Sequence, residues 1–329
     1  LPAAKIRSTV CRGENEPGVG HASTQPLSRR RHEGEIVVHL VLGHPQDPCC
    51  RGVLDLLAAR DHPARLVTNP MVHPARFAWR LDGAKSASQL AWDDEEPIAG
   101  DQLDSVLVRT TGWLDPAGWE PSDLAYMQAE TQAALLGWLW SLDCPVVNRL
   151  SSALWYRPRV PTLSWQGVMR RCGLPTPEIL VTNVDGEARA FGQRLEREGV
   201  DGAIYGPLTS DARYLVSGDS DWNGLAALQE STPVSLTSPH GEARLACVVG
   251  EQVVWEGDPT PEMAVLEPAL ARFAEAAGLA FVELALAATP HGTCVVRVEP
   301  HADLEHFGEA ARQRILEGIA DLLTAEGDL

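Results

Sequence analysis

Short apolar runs rich in β-branched residues alternate along this chain with longer stretches whose leucines recur at helical spacing. EIVVHLVLGH (residues 35–44) is compact and β-rich, GVLDLLAARDH (52–62) carries helically spaced leucines, and ARLVTN (64–69) is again short and apolar. That succession predicts a β-α-β unit and so the beginning of a parallel sheet. LDSVLVRTT (103–111) predicts another buried strand, and PSDLAYMQAETQAALLGWLWSLD (121–143) a long helix with Pro121 in its first turn and Ser122 and Asp123 as early polar residues. Apolar residues flank Trp138 and Trp140 on several faces of that helix, which marks them as core or interface aromatics. PVVN (145–148) follows as a fourth short strand, and DLEHFGEAARQRILEGIADLL (303–323) predicts a last helix that buries Ile315, Leu316, Ile319, Leu322 and Leu323.

Residues 1–33 break the pattern. They show almost no aliphatic periodicity and end in Arg29, Arg30 and Arg31, so they bury too little apolar surface to offset their ordering entropy and are expected to form a flexible arm. The arginines could grip an acidic partner or simply be solvated. Without an initiator methionine, the chain reads as a fragment.

At 329 residues, 44% hydrophobic and 22% charged, the chain can bury a large core in two or three domains. A formal net charge of −18 argues against nucleic acid, whose phosphates need clustered cations, and suits a basic peptide better. No apolar run approaches the roughly 20 residues that span a bilayer, and no basic-then-apolar signal opens the chain, so a cytoplasmic protein without a membrane partner is expected. Seven cysteines, including adjacent Cys49 and Cys50, are odd in number and lack paired metal spacing, which favours reduced core thiols. GxxxxGK, HExxH, GxSxG and paired CxxC patterns are all absent.

The segment PVVNRLSSALWYRPRVPTLSWQGVMRRCGLPTPEILVTN (145–183) joins an asparagine-ended strand, a helix, a Gly-Leu break between prolines, and a strand ending in Thr182-Asn183. With VLVRTTGW (106–113), AIYGPL (203–208), GEARLACVVGEQVVWEG (241–257) and GLAFVELALAATPHGTCVVRVEPHADLEHF (278–307), it resembles the ATP-grasp peptide ligases that mature ribosomally made peptides, of the microviridin or graspetide type. The resemblance spans roughly residues 35–325. It implies an α/β fold, α+β in the C-terminal half: an N-terminal parallel-sheet domain (34–148), a central lid-like domain (149–240) and a C-terminal antiparallel sheet-plus-helix domain (241–329).

The same resemblance implies two phosphate-binding lysines, yet no lysine follows Lys85. Their positions fall on Thr162 and Gly206, neither of which is charged. The implied magnesium ligands fall on Ala285, Arg297 and Glu299, and an arginine in that shell would repel the ion. Glu299 remains nearby, and Glu283 would join it only if the strand register slipped by two, which keeps it on the same face. Arg244 sits where a phosphate- or acyl-phosphate-contacting arginine is implied, although Glu242, two residues before it, permits an ordinary ion pair. Arg297 and Glu299 share a face and could neutralise each other, or with Arg244 could form a new catalytic constellation. HADLEH (301–306) could hold a metal through His301 and His306 but reads more simply as a solvated helix start, and His240 lies on a turn.

A degenerate ATP-grasp-like protein of a ribosomal-peptide pathway is therefore the expected function, with no cofactor and with a precursor peptide or a partner enzyme as ligand. The resemblance implies a leader-peptide site within 209–230, where Tyr214 and Trp222 are exposed-anchor candidates or hydrophobic plugs; Arg109 is a further peptide-binding candidate. One alternative is an active, divergent ligase that forms an amide or ester from ATP and Mg2+, with Arg157, Arg159, Arg170 and Arg244 in place of the lysines. Another is a nucleotide-independent enzyme reusing the cleft. Two-fold assembly being common, a homodimer is expected.

Overall fold

The computed structural model describes residues 37–325 except 84, 93–95, 110–113, 150, 156–159 and 209–211. The expected arm at 1–33, the candidate cations Arg157 and Arg159, and the end of the tract at 106–113 lie outside the described residues.

The N-terminal part opens with β1 (Val38–Leu42), α1 (Pro48–Ala59) and β2 (Ala64–Val67). The helix starts earlier than its leucines suggest, because Asp47 caps it, accepting from the Cys49 backbone N–H at 2.8 Å, and Pro48 fits the first turn. After β3 (Ala75–Asp82), β4 (Lys85–Trp92) and β5 (Ile98–Ala99) come β6 (Leu103–Val108), the long α2 (Pro121–Trp140) and β7 (Val146–Val147). Strands β2-β1-β6-β7 form a parallel sheet in that order, as the β-α-β pattern predicts. Its middle strands are buried on both faces, which is why they read as unbroken apolar runs.

The three-stranded antiparallel sheet β3-β4-β5 was not anticipated. Its signal was present: Phe77, Trp79 and Leu81 alternate with Arg76, Ala78 and Arg80, and Asp82-Gly83 then turns the chain. Phe77 packs edge-to-face on Trp138 at 5.4 Å, so this sheet covers α2. Of the paired tryptophans, Trp138 is fully buried, whereas Trp140 is 56% exposed.

Helices α3 (Ser152–Trp155) and α4 (Thr162–Arg171) lead into a small antiparallel sheet, β10-β9-β11-β8, built from β8 (Ile179–Thr182), α5 (Asp185–Arg197), β9 (Ala203–Tyr205), β10 (Tyr214–Val216), α6 (Asp219–Gln229) and β11 (Val234–Thr237). As a packing unit it is narrower than the expected 149–240: its core runs from Leu180 to Leu236, while Trp165 and Met169 of α4 pack into the main core. The remaining elements are β12 (Arg244–Val249), β13 (Gln252–Trp255), α7 (Pro261–Ala264), α8 (Glu267–Ala277), β14 (Phe281–Thr289), β15 (Gly292–Glu299) and α9 (Glu309–Thr324). Strands β13-β12-β14-β15 make the last antiparallel sheet. The final helix begins six residues later than its pattern suggests, after a 3-10 turn at Leu304–His306, and buries Ile315, Leu316, Ile319 and Leu323. No described helix is long and apolar enough to cross a membrane, and the six described cysteines form no disulfide.

One buried side chain hydrogen-bonds the end of the parallel sheet to the last sheet. Asn148, just after β7, adopts φ 58° and is buried; its Nδ2 donates to the Phe281 carbonyl at 2.7 Å, and its Oδ1 accepts from the Phe281 N–H at 2.9 Å. Asn tolerates that left-handed backbone better than other non-glycine residues. Two cores consequently run across both sheets, one containing Leu40, Val106, Val248 and Leu284, the other Val41, Leu107, Cys247 and Phe281. Asn148→Ala should cost about 2–5 kcal/mol, since both backbone groups of Phe281 would stay buried and unpartnered. Urea unfolding with an unchanged m-value measures this, and a loss below about 1 kcal/mol would show that the two sheets do not depend on the stitch.

Candidate functional site

Helix α4, the small sheet and β15 enclose a cavity lined by Thr162, Gly206, Arg213, His240, Arg297 and Glu299 among others. Thr162 opens α4 and donates its hydroxyl to the Val296 carbonyl at 3.5 Å; Gly206 follows β9. The two positions where lysines were implied thus face one space. Sequence reasoning missed Arg213, and only register reveals it: Tyr214 pairs with Tyr205, which puts Arg213 beside Gly206. A Cβ built on Gly206 would lie 3.0 Å from Arg213 Nη1, so the guanidinium occupies the space that a side chain at 206 would need. A cation therefore stands beside Gly206 although both of the marked positions are neutral.

Other proposed cations stand apart. Arg170 lies in the last turn of α4, eight residues beyond Thr162, or about 12 Å along the axis. Arg244 is exposed at the start of β12 opposite Leu286 and does not line the cavity, and Glu242 precedes the strand. His240 lines the cavity, with its Nδ1 2.9 Å from the Gly241 carbonyl.

At the implied metal position, the register places Ala285 opposite Arg297 and Glu283 opposite Glu299. Glu283 therefore needs no slip to stand across from Glu299. Nor does the expected Arg297–Glu299 neutralisation account for the arginine, whose Nη2 donates to Oε1 of Glu283, a side chain with 0% exposure. Oε2 of Glu283 accepts from the Asp303 N–H at 3.1 Å, and His306 Nδ1 lies 3.3 Å from Oε1. Glu299 Oε1 accepts from the His301 N–H at 3.0 Å. Magnesium demands a near-octahedral set of oxygens at about 2.0–2.1 Å, whereas here a guanidinium and N–H donors fill the lone pairs. Among the described residues no three His, Cys, Asp or Glu are gathered to hold a metal ion, and the residues in place do not fit magnesium. For nucleotide phosphate the fit is partial, with Arg213 and Arg297 as the cations on offer.

The peptide-binding candidates separate. Arg109 is not available to a ligand in solution: its side chain is 8% exposed, Nε donates to Asp47 at 2.9 Å, Nη2 donates to the Ala302 carbonyl at 2.9 Å, and the guanidinium lies over the Phe281 ring. Trp222 is likewise not an exposed anchor. At 6% exposure it fills the small domain's core, so close to Gly192 that a Cβ there would come within 2.3 Å of the indole. Tyr214, by contrast, is 55% exposed and stacks on Tyr205. With Leu215 and Leu228 it edges a groove between β10 and α6, floored by Val216 and Leu225.

Burial, together with the positive charge of Arg109, holds the His301 pKa down to about 4. Because the folded value lies below the ordinary value of about 6.5, the unfolded chain binds the extra proton, and stability should fall as pH drops from about 6.5 to 4. His301→Gln should flatten that limb of urea midpoint against pH; an unchanged slope would remove His301 as its source.

No protein-family model matches the chain, and no curated protein matches it. Solved structures do. The macrocyclase MdnC bound with precursor peptide MdnA, from Microcystis aeruginosa MRC, superposes with a TM-score of 0.71 at 16% identity over 87% of this chain and 99% of its own. The ATP-grasp ligase PsnB complexed with a minimal precursor gives 0.68 at 18% identity, over 89% and 100%. A Chryseobacterium gregarium RiPP-associated ATP-grasp ligase, in complex with ADP and a leader and core peptide, gives 0.64 at 14%, over 87% and 96%. The superpositions run over nearly the whole length of each of these proteins, and the chain has the fold of these ATP-grasp ligases.

Proposed function

We propose that this chain is a peptide-docking protein of a ribosomal-peptide maturation pathway, built on an ATP-grasp fold whose metal centre has been replaced by an internal ion pair. The observation that carries the reading is the fully buried Glu283, neutralised by Arg297 where the resemblance implies magnesium. A buried carboxylate without a positive partner is costly, so this arginine does locally the charge compensation that a divalent ion would otherwise do. Structural neighbours crystallised with precursor peptides support a peptide as ligand. On this chain the surface suited to one is the groove at Tyr214, Leu215 and Leu228. A second reading, a divergent ATP-dependent ligase, is favoured by one observation, the Arg213 guanidinium at Gly206.

Calorimetric titration with ATP and magnesium separates the two. The expected result is no saturable heat; a magnesium-dependent micromolar isotherm establishes the second reading. Tyr214→Ala should weaken capture of a fluorescent leader peptide from an adjacently encoded precursor by about 1–3 kcal/mol, the range of an exposed aromatic anchor. Unaltered fluorescence polarisation would take the groove out of the site.

A further inference from the structure

A cleft of about 1210 Å³ shares no lining residue with the cavity at Gly206 or the groove at Tyr214. Buried Leu142 and Leu279 line it with the half-buried Pro145, and Trp140, 56% exposed, lines it too. Three helices bring their last turns to its wall, through Trp140 of α2, Glu275 of α8 and Leu322 of α9. A helix ends in the partial negative charge of its free carbonyls, so lysine or arginine is favoured in the last turn. None of these three helices has a basic residue there. Glu275 stands instead in the last turn of α8, Asp143 follows α2, and Glu251, between β12 and β13, adds a third exposed carboxylate to the lining.

Two arginines on the same wall are committed to main-chain acceptors. Arg149 Nη2 donates to the Leu142 and Cys144 carbonyls at 3.2 and 3.0 Å, with its guanidinium over the Trp140 ring, and Arg272 Nη2 donates to the carbonyl of Cys172, the C-cap of α4, at 3.0 Å. Asp143 acts on the Arg149 charge without bonding to it. Among the described residues, Asp143, Glu251 and Glu275 form no ion pair. We propose that this cleft docks a basic, apolar segment of a partner protein, its aliphatic residues on Leu142, Pro145 and Leu279 and its lysine or arginine heads at the three carboxylates. Long cationic side chains suit such a wall, because their methylene stems lie along apolar surface while the heads reach the charge. Trp140 supplies a large aromatic for the segment to pack on. A second copy of the chain would bring the same three carboxylates, and like charges brought together oppose association, so the occupant is a different, cationic protein.

A fluorescein-labelled peptide of sequence Leu-Arg-Leu-Leu-Arg-Leu, titrated with the full chain and read by fluorescence polarisation, tests this. Saturable binding at micromolar concentration is expected, and none when glutamate replaces both arginines of the peptide. Combining Asp143→Asn, Glu251→Gln and Glu275→Gln should weaken the probe about tenfold, the joint effect of three exposed ion pairs. All three side chains are exposed, so the fold should survive their neutralisation. Ala271→Arg, which plants a cation in the wall and keeps every carboxylate, should weaken the probe by a similar factor. Absent binding, equal affinity for the glutamate peptide, or full affinity in both variants overturns the proposal. So does a probe released by Tyr214→Ala, which would place it in the small domain's groove. Displacement by spermidine at the concentration that unlabelled peptide requires would make a small organic cation the occupant, and equally overturns it.

Discussion

Asn148 and Arg109 converge on Phe281, and on that convergence depends the alignment of everything else. The Asn148 side chain behaves toward Phe281 like a strand residue, offering one donor and one acceptor where the end of β7 meets the start of β14. Arg109 joins the cap of α1 to the Ala302 carbonyl while its guanidinium covers the same phenylalanine. A buried N–H or C=O without a partner is expensive, so the sheets hold one relative position and not a range of them. Apolar cores run across both sheets, and the cavity beside β15 inherits a rigid wall.

On that wall, charge is balanced by side chains. Glu283 has no exposure and Arg297 is its neighbour across the strand pair, with the Asp303 N–H and His306 completing the shell. Such a pair satisfies its desolvation cost only when nearly every lone pair has a donor, which is the case here. The same saturation that makes the arrangement self-sufficient leaves little room for a hard cation. The small domain carries the opposite features: an arginine held against a glycine at the cavity mouth, and on its outer side an open apolar groove. Fold likeness says nothing about which chemistry survives in such a cleft, so the side chains have to be weighed one by one.

Much of the fold was legible. Unbroken apolar runs at Val38–Leu42 and Leu103–Val108 marked strands covered on both faces, and Pro121 marked the start of α2, because propensity and period are local properties. Helix starts at Pro48 and Glu309 were placed less well, since a cap or a preceding 3-10 turn shifts a boundary without altering the apolar period. The β3-β4 hairpin had a readable alternation about Asp82-Gly83 and was passed over. The candidate site was legible only as positions. Thr162, Gly206, Arg297 and Glu299 do line one cavity, but Trp222 and Arg109 looked available as anchors and are buried. Nothing local distinguishes a tryptophan that fills a core from one that waits for a ligand.

By itself, then, the sequence determined much of the order of strands and helices, and it set uncharged residues at 162 and 206 and an arginine at 297. Tertiary structure alone decided which groups meet: Arg213 beside Gly206, Glu283 opposite Glu299 and bonded to Arg297, and Asn148 on Phe281. The physical reason is one of range. Helical and strand periods act over a few neighbouring residues, whereas ion pairs and strand registers are set by packing between segments from 7 to 133 residues apart in these cases, and no local pattern encodes that distance.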